Sequence, residues 1–396
     1  MHDDLFAPEV IHDPYAYFGS LREQDPIHWN ARDEAWLVIR YDDVVWLTRH
    51  PELFSSAVFT GGPQASAHGG TAGLQEVFSA MFIRRDRPTH TAMRQVVHGA
   101  FTPRAVERWR LLVRSVIHAL LDEAEAQGGM DVLHDFATPM TIAVIAQIVG
   151  LPQRDHDVLR ALSETLLTIS RWRRAPGERH RIPAVLQALF ASLAPLVEAR
   201  RVEPEADLLS LLVQGEQHGA FTQQEVMANA LLLLAAGHET TINLIGNGLL
   251  AFLRHPEQWA VFTHAPRQRA VLATEECLRY DPPVKSFTRI AVAEVPWQGK
   301  VIRPGERVRW VIASANRDPA QFAAPDTFDI RREPNPHVAF GSGIHHCLGV
   351  SLARIEGQEV FTALAQRFPT LHLALDEVAY QPSLTFRALT ALPVSW

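Results

Sequence analysis

The 396-residue sequence is poor in cysteine and in lysine. Its two cysteines, Cys277 and Cys347, are too few for a disulfide framework in a chain of this length, which points to a reducing compartment. Lysine occurs only at positions 285 and 300, so arginine supplies nearly all of the positive charge. We attribute this imbalance to genomic base composition rather than to a binding function.

Long hydrophobic runs and a targeting segment are also missing. The most apolar run, residues 228–236, is too short to cross a bilayer. The amino terminus, MHDDLFAPEV, is acidic and has none of the regions of a signal peptide. A net charge of −7 does not favour nucleic-acid binding. These absences predict a cytoplasmic protein with no membrane anchor and no nucleic-acid partner.

The residues that are present follow a mainly helical pattern. With 47% hydrophobic residues, the chain can bury a large core. Helical periodicity runs from residue 89 to 254, strand-like runs at 26–40 predict a hairpin, and residues 383–396 read as a strand pair. Strands and helices do not alternate, which argues against a Rossmann or barrel fold. The prediction is a mainly α protein with small antiparallel β-sheets.

The strongest predicted helix begins at TQQE (222–225), a capping-box signature, and stops before Pro256. At 1.5 Å per residue it would be about 48 Å long. Its centre, AAGHETT (235–241), places Gly237 and two threonines where they are unfavourable for a helix, and the ionisable Glu239 lies in the same apolar stretch. The glycine could admit a flat ligand or could be a packing notch for another helix. The combination favours a functional site.

The segment FGSGIHHCLG (340–349) places a cysteine behind two glycines and just ahead of a predicted helix. Gly341 and Gly343 permit unusual backbone angles, and the helix start favours a thiolate at Cys347. The cysteine could be a nucleophile, a zinc ligand, a haem ligand or a buried structural residue. Zinc fits poorly, because adjacent histidines such as His345 and His346 rarely reach one tetrahedral metal together. The segment alone does not decide among the rest.

Three weaker patterns complete the set. Glu276 and Arg279 have the i,i+3 spacing of a helical ion pair, and Arg317 in a Pro-rich segment could join them. The loop at 60–71 is rich in Gly, Ala and Ser and precedes Phe82 and Ile83, as expected for a pocket cover. An ordinary surface loop explains that composition equally well.

Together the segments resemble the cytochrome P450 family of haem-thiolate monooxygenases, in its soluble bacterial form. FGSGIHHCLG fills the haem-binding pattern of that family, and AAGHETT matches its oxygen-activating motif. Glu276, Arg279 and Arg317 match its structural triad. DRPTHTAMR (86–94) resembles its propionate-binding helix. The motifs occur in family order over nearly the whole chain, so the resemblance implies one triangular, mostly helical domain over residues 1–396.

The resemblance also implies a cofactor, haem b, with the Cys347 thiolate as the axial ligand to iron. Electron donation from such a thiolate favours cleavage of the O–O bond. The resemblance assigns four residues to the two propionates: His90, Arg94, Arg289 and His345. It assigns four more to the surroundings of the porphyrin and the sulfur: Gly237, Phe340, Gly341 and Gly349.

The activity implied is insertion of one oxygen atom from O2 into a hydrophobic small molecule. Glu239 and Thr240 would form an acid–alcohol pair that relays protons. Electrons from NAD(P)H would arrive through a separate ferredoxin and ferredoxin reductase, docking near Arg104, Arg108 and Arg354 on a monomer. The side chains expected to line the substrate pocket are Phe82, Ile83, Leu233, Val284, Phe287 and Leu384, with residues 171–181 as a mobile lid.

Two alternatives use the same cofactor. A peroxygenase would take hydrogen peroxide directly, although the Glu239–Thr240 pair favours oxygen and reduced partners. A haem sensor or carrier would perform no chemistry and would not need that pair.

Overall fold

The computed structural model describes residues 3–58, 72–152, 161 and 181–396. Its α-helices are, in chain order, α1 Pro8–His12, α2 Pro14–Gln24, α3 Tyr41–Arg49, α4 Ala72–Ser79, α5 Thr89–His98, α6 Pro103–Val106, α7 Arg110–Glu125, α8 Thr138–Val149, α9 Arg181–Val202, α10 Leu208–Gln217, α11 Gln223–Arg254, α12 Pro256–His264, α13 Pro266–Tyr280, α14 Ile312–Ala315 and α15 Val350–Arg367. Short 3₁₀ turns lie at Phe82–Arg84, Gly99–Phe101, Glu107–Trp109 and Gly343–His345, and a π-helical turn at Val132–Ala137 leads into α8.

The strands are short and form three sheets. They are β1 Ile27–Asn30, β2 Ala35–Val38, β3 Phe54–Ser55, β4 Gly129–Asp131, β5 Ser286–Ala291, β6 Val295–Trp297, β7 Lys300–Ile302, β8 Arg307–Val311, β9 His372–Leu373 and β10 Pro393–Ser395. The largest sheet has the order β1-β2-β8-β5-β3, and the smaller ones are β4-β10-β9 and the β6-β7 hairpin. The predicted fold class, mainly helical with small sheets, is confirmed.

The β-sheet prediction needs two corrections. Strand β2 pairs with β8 in parallel, from Ala35 opposite Arg307 to Val38 opposite Trp310, so the sheets are not all antiparallel. A long crossover of helices joins these strands, and parallel pairing requires such a connection. The predicted strand pair at 383–396 is also wrong. Only β10 forms there, and it pairs with β4 and β9. The residues before it bond to the segment that precedes β5 instead: Lys285 N donates to Thr385 O, and Arg387 N donates to Pro283 O.

The long helix α11 is confirmed and begins at the predicted capping box. Thr222 Oγ1 accepts from Glu225 N at 3.2 Å, while Glu225 Oε2 accepts from Thr222 N at 2.9 Å. The helix is 32 residues long and buried over most of its length. Near its carboxyl end, a Cβ at Gly248 would lie 2.5 Å from Phe361 Cζ, so this glycine allows α15 to approach closely. The position of α11 thus depends on direct contact with α15.

One helical stretch, Val132–Val149, is long and apolar enough to cross a membrane by composition alone. Two thirds of it (67%) is buried inside the protein, where α8 packs against α11 and α7. A helix in the core of a protein has the same apolar composition, and the burial of this stretch explains its composition here.

Candidate active site

The loop that carries Cys347 is fixed by its backbone. Gly341 and Gly343 have φ angles of +69° and +71°, which favour glycine. A Cβ at Gly343 would also lie 2.1 Å from the carbonyl oxygen of Thr48, so no side chain fits. Cys347 N donates to Phe340 O at 2.9 Å and closes the loop just before α15, whose N-cap is Gly349. Both glycines are therefore required by the turn.

Cys347 is half-buried and lies near two positive charges. Burial raises the pKa of the thiol, whereas the Gly349 N–H and the nearby charges of Arg94 and Arg354 lower it. These opposing effects favour a thiolate once a cation binds the sulfur. The other cysteine, Cys277, is 1% exposed in the core, and burial followed by the Glu276 charge raises its pKa well above the ordinary value. Cys347 is thus the cysteine suited to bind a metal.

The four residues predicted to bind propionates lie together beside this loop. The His90 and His345 ring centroids are 4.1 Å apart, and Arg94 Nη2 donates to His346 O at 2.6 Å. Burial, followed by Arg289, His90, Arg94 and Arg84, lowers the pKa of His345 to about 2. Ser56 Oγ lies 2.8 Å from His345 Nε2. His346, which the sequence left without a role, provides a backbone contact for Arg94.

Arg84 is a member of this cluster that the sequence did not reveal. Burial lowers its pKa to about 10, and burial followed by the charge of Arg84 lowers the pKa of Arg289 to about 10 as well. Arg84 lies five positions before the motif residue Thr89 and belongs to no recognised pattern. The packing of its 3₁₀ turn against α5 brings it close to the propionate cluster. No sequence signal distinguished it from the adjacent Arg85.

The cluster fits a ligand with two carboxylates, as haem has. Four arginines (84, 87, 94 and 289) and one carboxylate, Asp86, act electrostatically on its two histidines, so the cluster is rich in positive charge. Both ring nitrogens of His90 and the indole nitrogen of Trp310 are buried without a hydrogen-bond partner among the described residues. Buried donors of this kind normally have partners, so a bound anion that accepts from them is expected.

The predicted triad needs a correction, because its third member is Arg332 and not Arg317. Glu276 and Arg279 are fully buried, with Arg279 Nε and Nη2 each 2.8 Å from the carboxylate. Arg332 Nε lies 3.2 Å from both carboxylate oxygens of Glu276. Arg317 instead donates to Tyr280 O, pairs with Asp326 at 3.2 Å and stacks on Tyr15 and Tyr280.

Gly237 is a packing notch, because a Cβ there would lie 2.7 Å from Ile145 Cδ1 of α8. Successive residues of a helix are rotated by about 100°, so the side of Gly237 that meets α8 is not the side on which Ala236 lies. The assignment of Gly237 to the cofactor is not supported by this contact and stays a prediction. Ala236, one position earlier, is exposed within this otherwise buried helix, and it shares a face with Thr240.

The predicted acid–alcohol pair lies at the same level of α11. Thr240 Oγ1 donates to Ala236 O at 2.7 Å, the local back-bond that threonine makes in helices. Glu239 is 4% exposed, and its Oε1 accepts from Asn243 Nδ2 at 3.3 Å. Each side chain therefore has a partner on its own helix, Thr240 at the exposed face and Glu239 in the interior.

A second carboxyl group, Glu356 on α15, reaches the same part of α11. Its Oε2 accepts from Thr241 Oγ1 at 3.0 Å, and it is 2% exposed. Burial raises its pKa from the ordinary 4.5 to about 8, although the Thr241 bond lowers it. The group is therefore protonated at neutral pH in the folded protein, and no motif marked it.

This buried acid gives an expected pH dependence of stability. Because the folded pKa lies above the unfolded value, the folded protein keeps a proton that the unfolded chain loses, so stability from this group falls as pH rises from about 4.5 to about 8. Glu356→Gln cannot lose a proton, and its stability relative to the native protein should increase steadily between pH 5 and pH 8. Urea unfolding across this range measures the difference. Glu257→Gln, at an exposed site, is the control, and a difference for Glu356→Gln that does not vary with pH would contradict the assignment.

The six side chains predicted to line a pocket belong to three hydrophobic clusters. Phe82, Ile83 and Leu233 pack in the helical core, and the Phe82 ring is 6.4 Å from His90. Val284 and Phe287 pack beside the large sheet. Leu384 packs with the amino-terminal residues instead, so its assignment to the same pocket is not supported. The predicted cover at 60–71 and all of the predicted lid at 171–181 except Arg181 lie outside the described residues.

Comparison with known proteins agrees with this arrangement. The family model described as Cytochrome P450 matches residues 34–261 and 270–385. The biotin biosynthesis cytochrome P450 of Bacillus subtilis strain 168 is 36% identical over 98% of both chains. Cytochrome P450 monooxygenase PikC of Streptomyces venezuelae is 35% identical, over 97% of this chain and 91% of its own.

A solved structure extends the likeness to three dimensions. The crystal structure of P450BioI, in complex with an acyl carrier protein ligated to hexadec-9Z-enoic acid, is 34% identical, with a TM-score of 0.90 over 98% of this chain and 99% of its own. Sequence and fold agree over almost the full length of the chain, and the protein therefore belongs to the cytochrome P450 family of monooxygenases.

Proposed function

We propose that the protein inserts one oxygen atom from O2 into a hydrophobic small molecule, with electrons delivered by a separate ferredoxin and its reductase. The observation that carries this proposal is the position of the half-buried Cys347 beside an arginine-rich cluster that includes two histidines. The thiolate and the cluster together suit one ligand, a metal porphyrin with two carboxylates. We further propose that residues 1–396 act as one haem domain in the cytoplasm, as a monomer.

The chain's own residues would hold this cofactor through two sets of groups. Cys347 would provide the sulfur ligand, with the Gly349 N–H directed at the sulfur. Arg94, Arg289, His90 and His345 would bind the propionates, and Arg84 would add a third arginine. When bound, the haem supplies the iron at which oxygen is activated. The buried setting of these groups strengthens their electrostatic attraction for the cofactor.

Glu239 and Thr240 are proposed to move protons. The Thr240 hydroxyl lies at an exposed face of α11 and holds its proton against the Ala236 carbonyl. Glu239 is on the next residue, inside the protein, where it can exchange a proton with water or with a neighbouring side chain. Rotation of Thr240 about χ1 would release its hydroxyl to donate a hydrogen bond toward bound substrate or oxygen.

Thr240→Ala should therefore uncouple electron use from product formation. Without the hydroxyl, proton delivery slows by roughly tenfold or more, and NAD(P)H is consumed with release of hydrogen peroxide. Haem content should be unchanged, since Thr240 contacts only its own helix in the described structure. The measurement is product formed per NAD(P)H consumed.

The matched control for that experiment is Thr241→Ala, which removes the neighbouring hydroxyl. Thr241 donates to Glu356 rather than to the exposed face, so its loss should affect stability more than coupling. Equal coupling in Thr240→Ala and the native protein would show that the hydroxyl has no part in proton delivery.

The substrate class rests on the apolar side chains and on the relatives. Phe82, Ile83 and Leu233 present an apolar surface next to His90, which suits a hydrophobic ligand. P450BioI binds a hexadecenoic acid attached to a carrier protein, and another similar structure, CYP267B1, holds myristic acid. We infer a hydrophobic substrate with a long apolar part.

The electron donor is expected to dock near the amino-terminal ends of α6 and α7. Arg104 and Arg108 are exposed there and could meet an acidic ferredoxin. Arg354, the third predicted docking residue, is held by an ion pair with Glu275, which reduces its availability to a partner.

The absorption spectrum of the reduced, carbon-monoxide-bound protein tests the haem-thiolate assignment. We expect a Soret band shifted far to the red, and its absence in folded, haem-loaded protein would overturn the assignment. Comparing turnover with ferredoxin, reductase and NAD(P)H against turnover with hydrogen peroxide alone then separates a monooxygenase from a peroxygenase. Haem binding with no product under either condition, tested with fatty acids of 12 to 18 carbons, would indicate a sensor or carrier.

A further inference from the structure

Glu275, the residue before the triad acid, binds two side chains at once. Arg354 donates to it through Nε and Nη2, at 2.8 and 2.7 Å from the two carboxylate oxygens. His337 Nε2 lies 3.2 Å from Oε2, close enough for a strong electrostatic contact although its angle is poor for a hydrogen bond. Burial raises the pKa of Glu275, but its interactions with His337 and Arg354 outweigh burial and hold the pKa at about 2. The carboxylate is thus charged at working pH.

The orientation of His337 is fixed from its other side. Its Nδ1 accepts from the Ala339 backbone N–H at 3.2 Å, so the proton of the neutral ring lies on Nε2. That nitrogen lies beside Glu275, and the side chain is only 2% exposed. The Ala339 N–H therefore sets the tautomer, and Ala339 and Glu275 together hold the ring in position.

Both partners of Glu275 contact Phe340 in the cysteine loop. The Arg354 guanidinium carbon is 5.2 Å from the centre of the Phe340 ring, and the His337 ring centroid is 5.9 Å from it. The Phe340 carbonyl accepts from the Cys347 N–H at 2.9 Å. A continuous set of contacts thus leads from Glu275 to the backbone of the residue that carries the sulfur.

The same residues also determine the electrostatic field at the Cys347 sulfur. The guanidinium of Arg354 interacts electrostatically with the Cys347 thiol, and Glu275 is the carboxylate bound to that guanidinium. Opposite charges held this close largely cancel at a distance, so the field that Arg354 exerts at the sulfur depends on Glu275. Glu275 is not an oxygen-binding or substrate-binding residue in this arrangement.

We propose that Glu275 is a positioning residue that lowers the reduction potential of the bound haem iron, by holding Arg354 and His337 on Phe340 and by offsetting the charge of Arg354 near Cys347. The inference rests on the proposed function, because it requires Cys347 to be the iron ligand.

The test is a spectroelectrochemical titration of the holoprotein. Reduction adds one electron, so loss of a nearby negative charge favours the reduced state. Glu275→Gln should therefore shift the reduction equilibrium roughly tenfold toward the reduced form, which for one electron is about 59 mV to more positive potential. Arg354→Gln should shift the potential in the opposite direction, and the double variant should lie near the native value.

Glu359→Gln is the matched control. Glu359 is also an acid that pairs with arginines, Arg110 and Arg114, but it lies about one and a half turns beyond Arg354 along α15. Its substitution makes the same change in net charge and should leave the potential nearly unchanged. A purely structural role for Glu275 would move the single variants in the same direction, and that result would overturn the proposal.

The reduced carbon-monoxide spectrum separates the two ways of failing. If the native protein lacks the red-shifted Soret band, the proposed function is wrong. If the band is present but Arg354→Gln does not lower the potential, the role of Glu275 is wrong. The Arg354 side chain is 41% exposed, so the Arg354→Gln variant should fold. Its reduction potential therefore tests the proposal even if Glu275→Gln does not retain haem.

Discussion

Cys347→Ser is expected to abolish the red-shifted Soret band of the reduced, carbon-monoxide-bound protein and to reduce oxygenation by more than about 100-fold. A serine oxygen occupies nearly the same volume but remains protonated at neutral pH and donates far less electron density than a thiolate. Loss of residues that only support a metal ligand typically costs 10- to 100-fold, and loss of the ligand itself should cost more. The measurements are the spectrum and the rate of product formation with reduced ferredoxin.

Haem should still bind to this variant, because the propionate cluster is untouched. Arg94, Arg289 and His90 lie on other parts of the fold and keep their positions. We therefore expect a haem-containing protein with the spectrum of a non-thiolate haem, rather than haem-free protein. Retention of haem distinguishes loss of the ligand from loss of folding.

Cys277→Ala is the matched control. Cys277 lies on α13 and is buried against Gly248 of α11, where a Cβ added to the glycine would lie 3.1 Å from the cysteine sulfur. Its replacement should cost about 1 kcal/mol through a small cavity and leave the spectrum unchanged. A red-shifted band that persists in Cys347→Ser, or disappears in Cys277→Ala, would show that the wrong cysteine has been assigned.

The sequence predicted those parts of the site whose residues lie close together in the chain in a recognisable order. The cysteine loop could be read because two glycines, a cysteine and a helix start are adjacent in the chain. His90 and Arg94 could be read because a helix places residues four apart on one face. For both, the local sequence largely determines the geometry.

The parts that the sequence missed depend on packing between distant segments. Segment 317–332 contains three arginines in an irregular chain, and only the fold decides that Arg332 reaches Glu276. Gly237 and Ala236 are neighbours in sequence but lie on different faces, so the notch for Ile145 could not be told from a surface for a ligand. Arg84 and Glu356 belong to no pattern, and the parallel pairing of β2 with β8 depends on a crossover of more than 250 residues.

The corrected triad leads to the second large effect: Glu276→Gln should destabilise the protein by about 3–5 kcal/mol. The Glu276 carboxylate also accepts from Asp329 N at 2.9 Å and Asn335 Nδ2 at 3.1 Å, so it fixes the segment that leads to the cysteine loop. Glutamine leaves Arg279 charged and fully buried without a counter-ion. Because proteins are stable by only about 5–15 kcal/mol, haem retention should fall as well.

A double-mutant cycle distinguishes Arg332 from Arg317 as the third member. Arg332 contacts Glu276, so Arg332→Gln and Glu276→Gln should be non-additive by about 0.5–3 kcal/mol in unfolding free energy. Arg317 binds Tyr280 O and Asp326 instead, so Arg317→Gln should destabilise the protein but add to Glu276→Gln within about 0.5 kcal/mol. Urea unfolding of the native holoprotein, the three single variants and the two double variants gives all six free energies. Coupling of Glu276 to Arg317 and not to Arg332 would restore the triad expected from the sequence and contradict the geometry described here.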